Sequence, residues 1–400
     1  MSAGTSVFAA PITSDRIAAL PVAEQAAWKT YLERSRSNAL ADAAVVAAEV
    51  AAHNLTNALR APSGGDFKLP APGGDPWYAG DEAKQLADAV LSYQTPTGGW
   101  SKHLGFTKGA RQPGMLWTSQ NEPGQRAHYV ATFDNGSTTE EMYFLAYVWQ
   151  ATKREDCKAG FIQGLNFIFS AQFPNGGWPQ VYPLEGGYHD DITFNDDAMT
   201  HILELLQAVA GNEPGYAFLD ESQRQKAGTA LAAGIQCVLK LQVVQAGKKT
   251  AWCGQHDALT LEPAAARQME PATLSGLESA HLLKFLMTIT NPAPEVVACI
   301  EAGLKWLDAV KVTDVTRTKL NGKTVYVSDL ASQEVYWARF YKLTNSQPVF
   351  PGRDGILYDT FAAMAAKNQL GYDYYSSQPG SILKNGQKKW RKMLATQFKK

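Results

Sequence analysis

Two short strings concentrate oxygen ligands: Phe133-Asp134-Asn135-Gly136-Ser137-Thr138 and Phe194-Asn195-Asp196-Asp197. Each stands just before an apolar-periodic stretch, MYFLAYVW in the first case and AMTHILELLQAV in the second. Asp and Asn are favoured helix N-caps there, and capping accounts for either aspartate alone as well as a functional role does. Each string nonetheless carries more polar groups than one cap consumes. Brought together, Asp134 and Asp196 would make an anionic, oxygen-rich site suited to a hard cation such as Ca2+, although no EF-hand loop is present.

The basic residues point to an acidic ligand. Lys102 follows the first Gly-Gly-Trp, Arg267 lies in a loop before a later helix start, and Arg339 and Arg353 fall in the C-terminal segment. Arginine binds carboxylates through a planar fork, so such residues at one mouth would suit a carboxylate-bearing ligand. Pairing with a surface acid is the plainer alternative and weighs equally for Arg339. Arg353 sits inside the tight Pro351-Gly352-Arg353-Asp354-Gly355 string, which presents its side chain. Trp100, Trp178, Trp252, Tyr336 and Trp337 could stack on sugar rings, but tryptophans at loop–helix junctions are more often packing anchors. His189 and His256 stand near the same strings without a paired metal spacing. No P-loop, GxGxxG or GxSxG occurs, which removes nucleotide and α/β-hydrolase chemistry.

A long repeat organises these residues. Gln94-Thr-Pro-Thr-Gly-Gly-Trp100 is answered 78 residues later by Gln172-Phe-Pro-Asn-Gly-Gly-Trp178. A third unit runs from Gln242 to Ala251-Trp252-Cys253-Gly254, 74 residues beyond Trp178. Each time an amphipathic helix stops at Pro or Gly, a Trp sits on the loop, and a second helix follows. Ser137-x-x-Glu140, Asn195-Asp196-Asp197 and Ser275-x-x-Glu278 mark the starts of those second helices. Such helix pairs cannot bury an apolar face alone and must pack side by side. This predicts an all-α dominated fold, an incomplete (α/α) toroid with short β segments, against a superhelical α-solenoid as competitor. Asp196 lies 18 positions after Trp178, and Glu270 lies 18 after Trp252. Asp134, Asp196 and the Arg267–Glu270 segment are therefore expected at equivalent ends of successive pairs, facing one mouth.

Residues 14–60 read as Ala-rich helix, and the Gly/Pro-rich stretch 61–76 as a connector. The expected division is an N-terminal helical lobe over 1–75 and a catalytic module over 76–400. Asn321-Gly322 centres a hairpin signal within 312–328, and the Lys-rich last twenty residues read as a solvated helix.

Composition bounds the rest. Across 400 residues, 45% hydrophobic and 19% charged side chains exclude global disorder. With 37 basic and 38 acidic residues the net charge is -1, which argues against a nucleic-acid partner held by counterion release. No run approaches the ~18 apolar residues needed to span a bilayer, so no membrane partner is expected. The N-terminus lacks the basic and long apolar regions of a signal peptide. Cys157, Cys237, Cys253 and Cys299 show no CxxC spacing, and are too sparse for a disulfide scaffold. One or two bridges, or buried free thiols, are both open.

Taken in order, GGWSKHL, TFDNGST, NGGWPQVYPL, ITFNDDAM, AWCGQHD, Arg267-x-x-Glu270-x-x-x-Leu274-Ser275, WARFY and FPGRDG closely resemble the family 10 polysaccharide lyases, the pectate lyases. The likeness covers roughly residues 80–375. It implies Ca2+-dependent anti-β-elimination on polygalacturonate (de-esterified pectin), giving 4,5-unsaturated oligogalacturonides within an (α/α) toroid. It also implies a secreted enzyme, expected to act as a monomer. Residue by residue, Arg267 matches the family's Brønsted base and Arg353 an arginine that binds substrate carboxylate. Asp134 and Asp196 match acids associated with Ca2+ and substrate. Lys102, Asn135 and Arg339 are carried as further substrate contacts. From the residues alone, His256 and Lys102 compete with Arg267 as base, because arginine is almost always protonated. Two other functions stay open: an inverting glycoside hydrolase using Asp134 and Asp196 about 6.5–9.5 Å apart, and a non-catalytic pectin-binding protein.

Overall fold

The computed structural model describes residues 10–120, 127–320 and 323–397, and helices dominate them, with strands short and paired two by two for the most part. The described residues divide into two compact units, one of residues 11–237 and one of residues from 238 onward.

In the first unit a short α1 (Ser14–Ala18) precedes α2 (Val22–Ala52), the Ala-rich helix that the composition requires. Three contacts along α2 tie it to the body of this unit. Trp28 and Tyr31 pack on Phe173 with ring centroids 5.3 and 5.1 Å away. Asp42 accepts from Thr97 through its amide at 3.0 Å and its hydroxyl at 2.7 Å. Glu49 takes the Arg111 guanidinium, with Nη1 at 3.0 Å. Residues 11–75 thus share one compact unit with the helix pairs up to 237. The reason is this stacking and ion pairing, which the Gly/Pro-rich connector does not interrupt.

The helix pairs follow: α3 (Asp81–Ser92), α4 (Thr139–Thr152), α5 (Glu155–Ala171), α6 (Ala198–Ala210) and α7 (Glu221–Leu241). The repeat read from the sequence is a repeat of hydrogen bonds. Gln94 Nε2 donates to the carbonyls of Gly98 and Gly160, both at 2.8 Å. Gln172 does the same to Gly176 at 3.0 Å and Ala230 at 2.9 Å, and Gln242 to Thr250 and Cys299, each at 3.0 Å. One amide in each repeat therefore ties its own loop to the second helix downstream, α5, α7 and the helix Pro294–Ala309 in turn. Gly98 (φ 108°) and Gly176 (φ 95°) need the left-handed region, and a Cβ on either would collide with a backbone carbonyl, of Gln163 or Ala233.

The tryptophans complete the unit. Indole N–H groups of Trp100, Trp178 and Trp252 donate to Val90 (2.8 Å), Ile168 (2.9 Å) and Val238 (2.9 Å) on the helices that precede them. All three are buried, as are Tyr336 and Trp337. They are packing anchors, the more common role for aromatics at loop–helix junctions. A side chain with no exposed face cannot meet a ligand.

The second unit holds α8 (Leu277–Leu286), α9 (Pro294–Ala309) and α10 (Phe361–Ala366) among two-stranded ribbons. Strands Val315–Leu320 and Lys323–Ser328 pair antiparallel, Val315 opposite Ser328, while the Asn321-Gly322 turn lies outside the described residues. Trp337–Ala338 pairs with Tyr375–Ser376, and Phe340–Tyr341 with Leu274–Ser275. Gln387–Gln397 is helical as expected, yet it docks through a buried Trp390. All four cysteines are buried free thiols.

Candidate active site

In the first unit the loop after Trp100 and the turn before α4 meet. Lys102 Nζ stands 2.5 Å from Asp134 Oδ2, and Gln180 Nε2 donates to Asp134 Oδ1 at 3.0 Å. The pair is nearly dry, with side-chain exposures of 12% for Lys102 and 5% for Asp134. A buried pair of this kind is held by geometry, because desolvation cancels much of the Coulomb gain. Asp134 is not a helix cap: its carboxylate is engaged by Lys102 and Gln180, and the cap position of α4 belongs to Thr138. The capping box expected at Ser137-x-x-Glu140 does not form: the cap is Thr138, whose hydroxyl is taken by Trp100 and Thr132, and only the Glu141 carboxyl reaches back to the Thr138 backbone.

Asn135 and Asp196 share a backbone conformation, φ 55°, ψ 30° and φ 50°, ψ 32°. Asn and Asp tolerate this left-handed region better than other side chains, so the repeated Asp/Asn strings are what allow the two turns to form. The turns Asp134–Gly136 and Asn195–Asp197 pack against each other, which brings Asp134, Asn135 and Asp196 together with Lys102. Asp196 Oδ2 accepts from Asn195 Nδ2 at 2.8 Å, and the cap position of α6 is Asp197.

In the second unit Arg267, Arg339 and Arg353 gather on the segment Leu370–Tyr374. Arg267 forks Glu270, Nε to Oε2 at 2.9 Å and Nη2 to Oε1 at 2.6 Å, and also donates to the Tyr372 hydroxyl at 3.0 Å. Tyr372 in turn donates to Glu270 at 2.6 Å. Arg339 lies 4.7 Å from the Tyr372 ring centroid and 3.4 Å from Glu278. Arg353 Nε donates to the Leu370 carbonyl at 2.7 Å. Burial would raise the Glu270 carboxyl, but the Arg267 fork and the Tyr372 hydroxyl outweigh it and hold the group below its ordinary value. Burial and the Glu270 charge push Tyr372 up. Arg267 itself is half exposed, so its far edge can reach a ligand.

One expectation changes. Trp100 and Trp252 each donate their backbone N–H to a hydroxyl, Thr138 and Ser279, both at 3.1 Å. Counting back from those hydroxyls, the third-unit counterpart of Asp134 is Ser275, which is bonded to Glu278. Glu270 instead closes its own tight turn, its N–H donating to the Arg267 carbonyl at 2.7 Å. The matching offset of 18 from Trp178 and Trp252 therefore reflects loop length and not structural equivalence. His256 is also no base: it is buried, accepts from the Cys253 N–H at 3.2 Å and meets the Leu261 carbonyl at 3.1 Å, and burial brings it down to about 4. Sequence reasoning did not single out Gln180, which lies within the NGGWPQVYPL string, or Tyr372, which no motif marks, and read Glu278 only as a helix-start signal.

For a metal, the donor set is hard oxygen, the chemistry Ca2+ requires. Gln180 Oε1 is buried beside Asp134 with no hydrogen-bond partner, an acceptor suited to a cation. Among the described residues no three His, Cys, Asp or Glu side chains converge into a cage. The carboxylates of Asp134 and Asp196 have the donor chemistry for such a cation, whose remaining shell would have to come from a bound ligand.

Comparison with known proteins follows this chemistry. The description of the pectic acid lyase family matches residues 94–383. The family 10 polysaccharide lyase from Cellvibrio cellulosa is similar at 31% identity and TM-score 0.67, covering 82% of this chain and 99% of its own. An alanine variant of that lyase, solved in complex with trigalacturonic acid, gives 31% identity and TM-score 0.68 over 78% and 95%. Among curated proteins none matches. Helix-pair units with acidic turns and an arginine cluster, matched over this length, define a polysaccharide lyase, and the chain belongs to the pectic acid lyase family. Its activity is that of a pectate lyase, and the hydrolase and non-catalytic alternatives fall with that membership. No described helix is long and apolar enough to cross a membrane.

Proposed function

We propose that the chain cleaves polygalacturonate by Ca2+-dependent anti-β-elimination. Arg267 is the base, Arg339, Arg353, Lys102 and Asn135 bind substrate, and Asp134 and Asp196 hold the cation together with substrate carboxylates. The observation that carries this reading is the gathering of three guanidinium groups on Leu370–Tyr374. Such a cluster suits a polymer bearing one carboxylate on every ring. That the Cellvibrio lyase binds trigalacturonic acid supports the same ligand class here.

The proton on C5 of a uronate leaves to the base, and its electron pair forms the C4–C5 double bond. The C4–O bond breaks, and the departing oxygen keeps the electron pair of that C4–O bond and takes up a proton. The C5 proton is a poor acid until the neighbouring carboxylate charge is offset. Arginine forks on that carboxylate stabilise the charge as it develops. Bound Ca2+ would supply further neutralisation of the same group. Arg267 would take the C5 proton at a guanidine nitrogen, which requires its neutral form, so alkaline pH assists.

The helix pairs are read as of the (α/α)-toroid type, supported by the Gln–Trp unit repeated three times. Secretion and a monomeric state complete the proposal. Incubation with polygalacturonate tests it. Near-ultraviolet absorbance from unsaturated product should rise with Ca2+ and stop with EDTA, and absorbance indifferent to EDTA would remove the cation from the reaction.

A further inference from the structure

Tyr129, next to Lys102, plays no part in the chemistry described so far, yet its backbone is strained. Its φ is 49°, in the left-handed region that an aromatic residue rarely adopts. Several groups hold it there. Its N–H donates to Glu185, whose other carboxylate oxygen lies 3.2 Å from His128 Nδ1. Its hydroxyl is 2.9 Å from His189 Nε2 and 3.3 Å from the Tyr188 hydroxyl. The His189 ring meets it edge-on at 4.9 Å and stacks on Tyr188 at 4.0 Å. Burial, ahead of the nearby Lys102 charge, brings His189 down to about 4, so the imidazole is neutral. Its other nitrogen bonds the Gly186 backbone, which leaves Nε2 to accept from the phenol.

The outcome of this bracing is a ring face turned to a cation. Lys102 Nζ lies 3.8 Å from the Tyr129 centroid while it is 2.5 Å from Asp134. Cation–π attraction grows where water is excluded, and Lys102 is 12% exposed.

We propose that Tyr129 is the positioning residue of Lys102: its ring fixes where the ammonium stands for a uronate carboxylate, and Glu185, Tyr188 and His189 fix the ring. This rests on reading Lys102 as a substrate contact. Tyr129→Phe keeps the ring face and Tyr129→Leu removes it.

The test measures kcat and KM on polygalacturonate, melting temperature, and the rate at which an amine-acylating reagent modifies Lys102, followed by peptide mass. Tyr129→Phe keeps the ring face but frees it from His189 and Tyr188, so it should raise KM at most about threefold, with a small rise in Lys102 acylation. Tyr129→Leu should raise KM roughly 10- to 30-fold at nearly constant kcat and melting temperature, with Lys102 acylated several-fold faster. A Tyr129→Leu variant with native KM and acylation rate, or Tyr129→Phe matching it in both, overturns the proposal. If Tyr129→Leu does not fold, His189→Phe, which releases the hydroxyl but keeps the ring, should speed acylation, and an unchanged rate counts against the idea. Lys102→Ala with native KM would instead remove the substrate-contact reading, and acylation would still judge the Tyr129–Lys102 contact.

Discussion

Glu270 holds Arg267 in a two-point fork, 2.9 Å at Nε and 2.6 Å at Nη2, and the Tyr372 hydroxyl touches both. A carboxylate in that place favours the charged guanidinium, so a base role demands that its charge be offset as substrate arrives. Arg267→Ala should lower kcat by about 10²–10⁴-fold, the range for a positioned base, with circular dichroism unchanged. Arg267→Lys should not restore it, because the fork to Glu270 is lost. Turnover near the native rate in Arg267→Ala would end the assignment.

The same pair gives a signed pH dependence. Glu270 sits below its ordinary value when folded, so its contribution is present above the unfolded value of about 4.3 and fades as pH falls through the folded one. The melting-temperature gap between native protein and Glu270→Gln should be open at pH 7 and close toward pH 3. A gap constant over that range would contradict the depressed carboxyl.

Asp134 has two predicted losses that separate by variant. Asp134→Asn keeps the shape but removes the charge facing Lys102 and the cation, and should raise the Ca2+ needed for half-maximal activity about 10- to 100-fold. Asp134→Ala additionally strands a buried ammonium and should cost about 3–5 kcal/mol in urea unfolding. An unaltered Ca2+ titration in Asp134→Asn would return that residue to a structural role.

Glu141 carries the opposite sign from Glu270. It is fully buried at the start of α4, burial brings it up to about 8, and its Oε2 has no partner. Its contribution is complete below the unfolded value of about 4.3 and declines as pH rises toward 8, by about 1.4 kcal/mol per pH unit at most. Glu141→Gln should therefore gain melting temperature over the native protein at pH 9 and little at pH 5. Equal shifts at both pH values would show that the carboxyl does not stay neutral.

Thiol chemistry gives the simplest check. Burial brings Cys157 and Cys299 up to about 12 and Cys253 higher, which suppresses the reactive thiolate. A thiol reagent should label none of the four cysteines in native protein and all four in denaturant. Fewer than four after unfolding without reductant would reveal a disulfide.

Much of the fold was legible because its signals are local. Gln94, Gln172 and Gln242 and their tryptophans recur in sequence and make the same bonds in space. The acidic strings before α4 and α6 were legible too, yet capping does not account for Asp134 or Asp196, because the cap positions fall to Thr138 and Asp197. Tyr372 gave no signal, and Gln180 none beyond its place in NGGWPQVYPL, since each acts only through a partner brought from far along the chain.

The sequence by itself determined the helix pairs, the loop tryptophans and the family, since periodicity, capping and turn chemistry act over a few residues. Tertiary structure alone decided which charges meet. Lys102 finds Asp134 across 32 positions, and Arg267 finds Tyr372 across 105. Those encounters depend on the course of the backbone between them, and on burial that makes each partner necessary, and neither is written in any short stretch of residues.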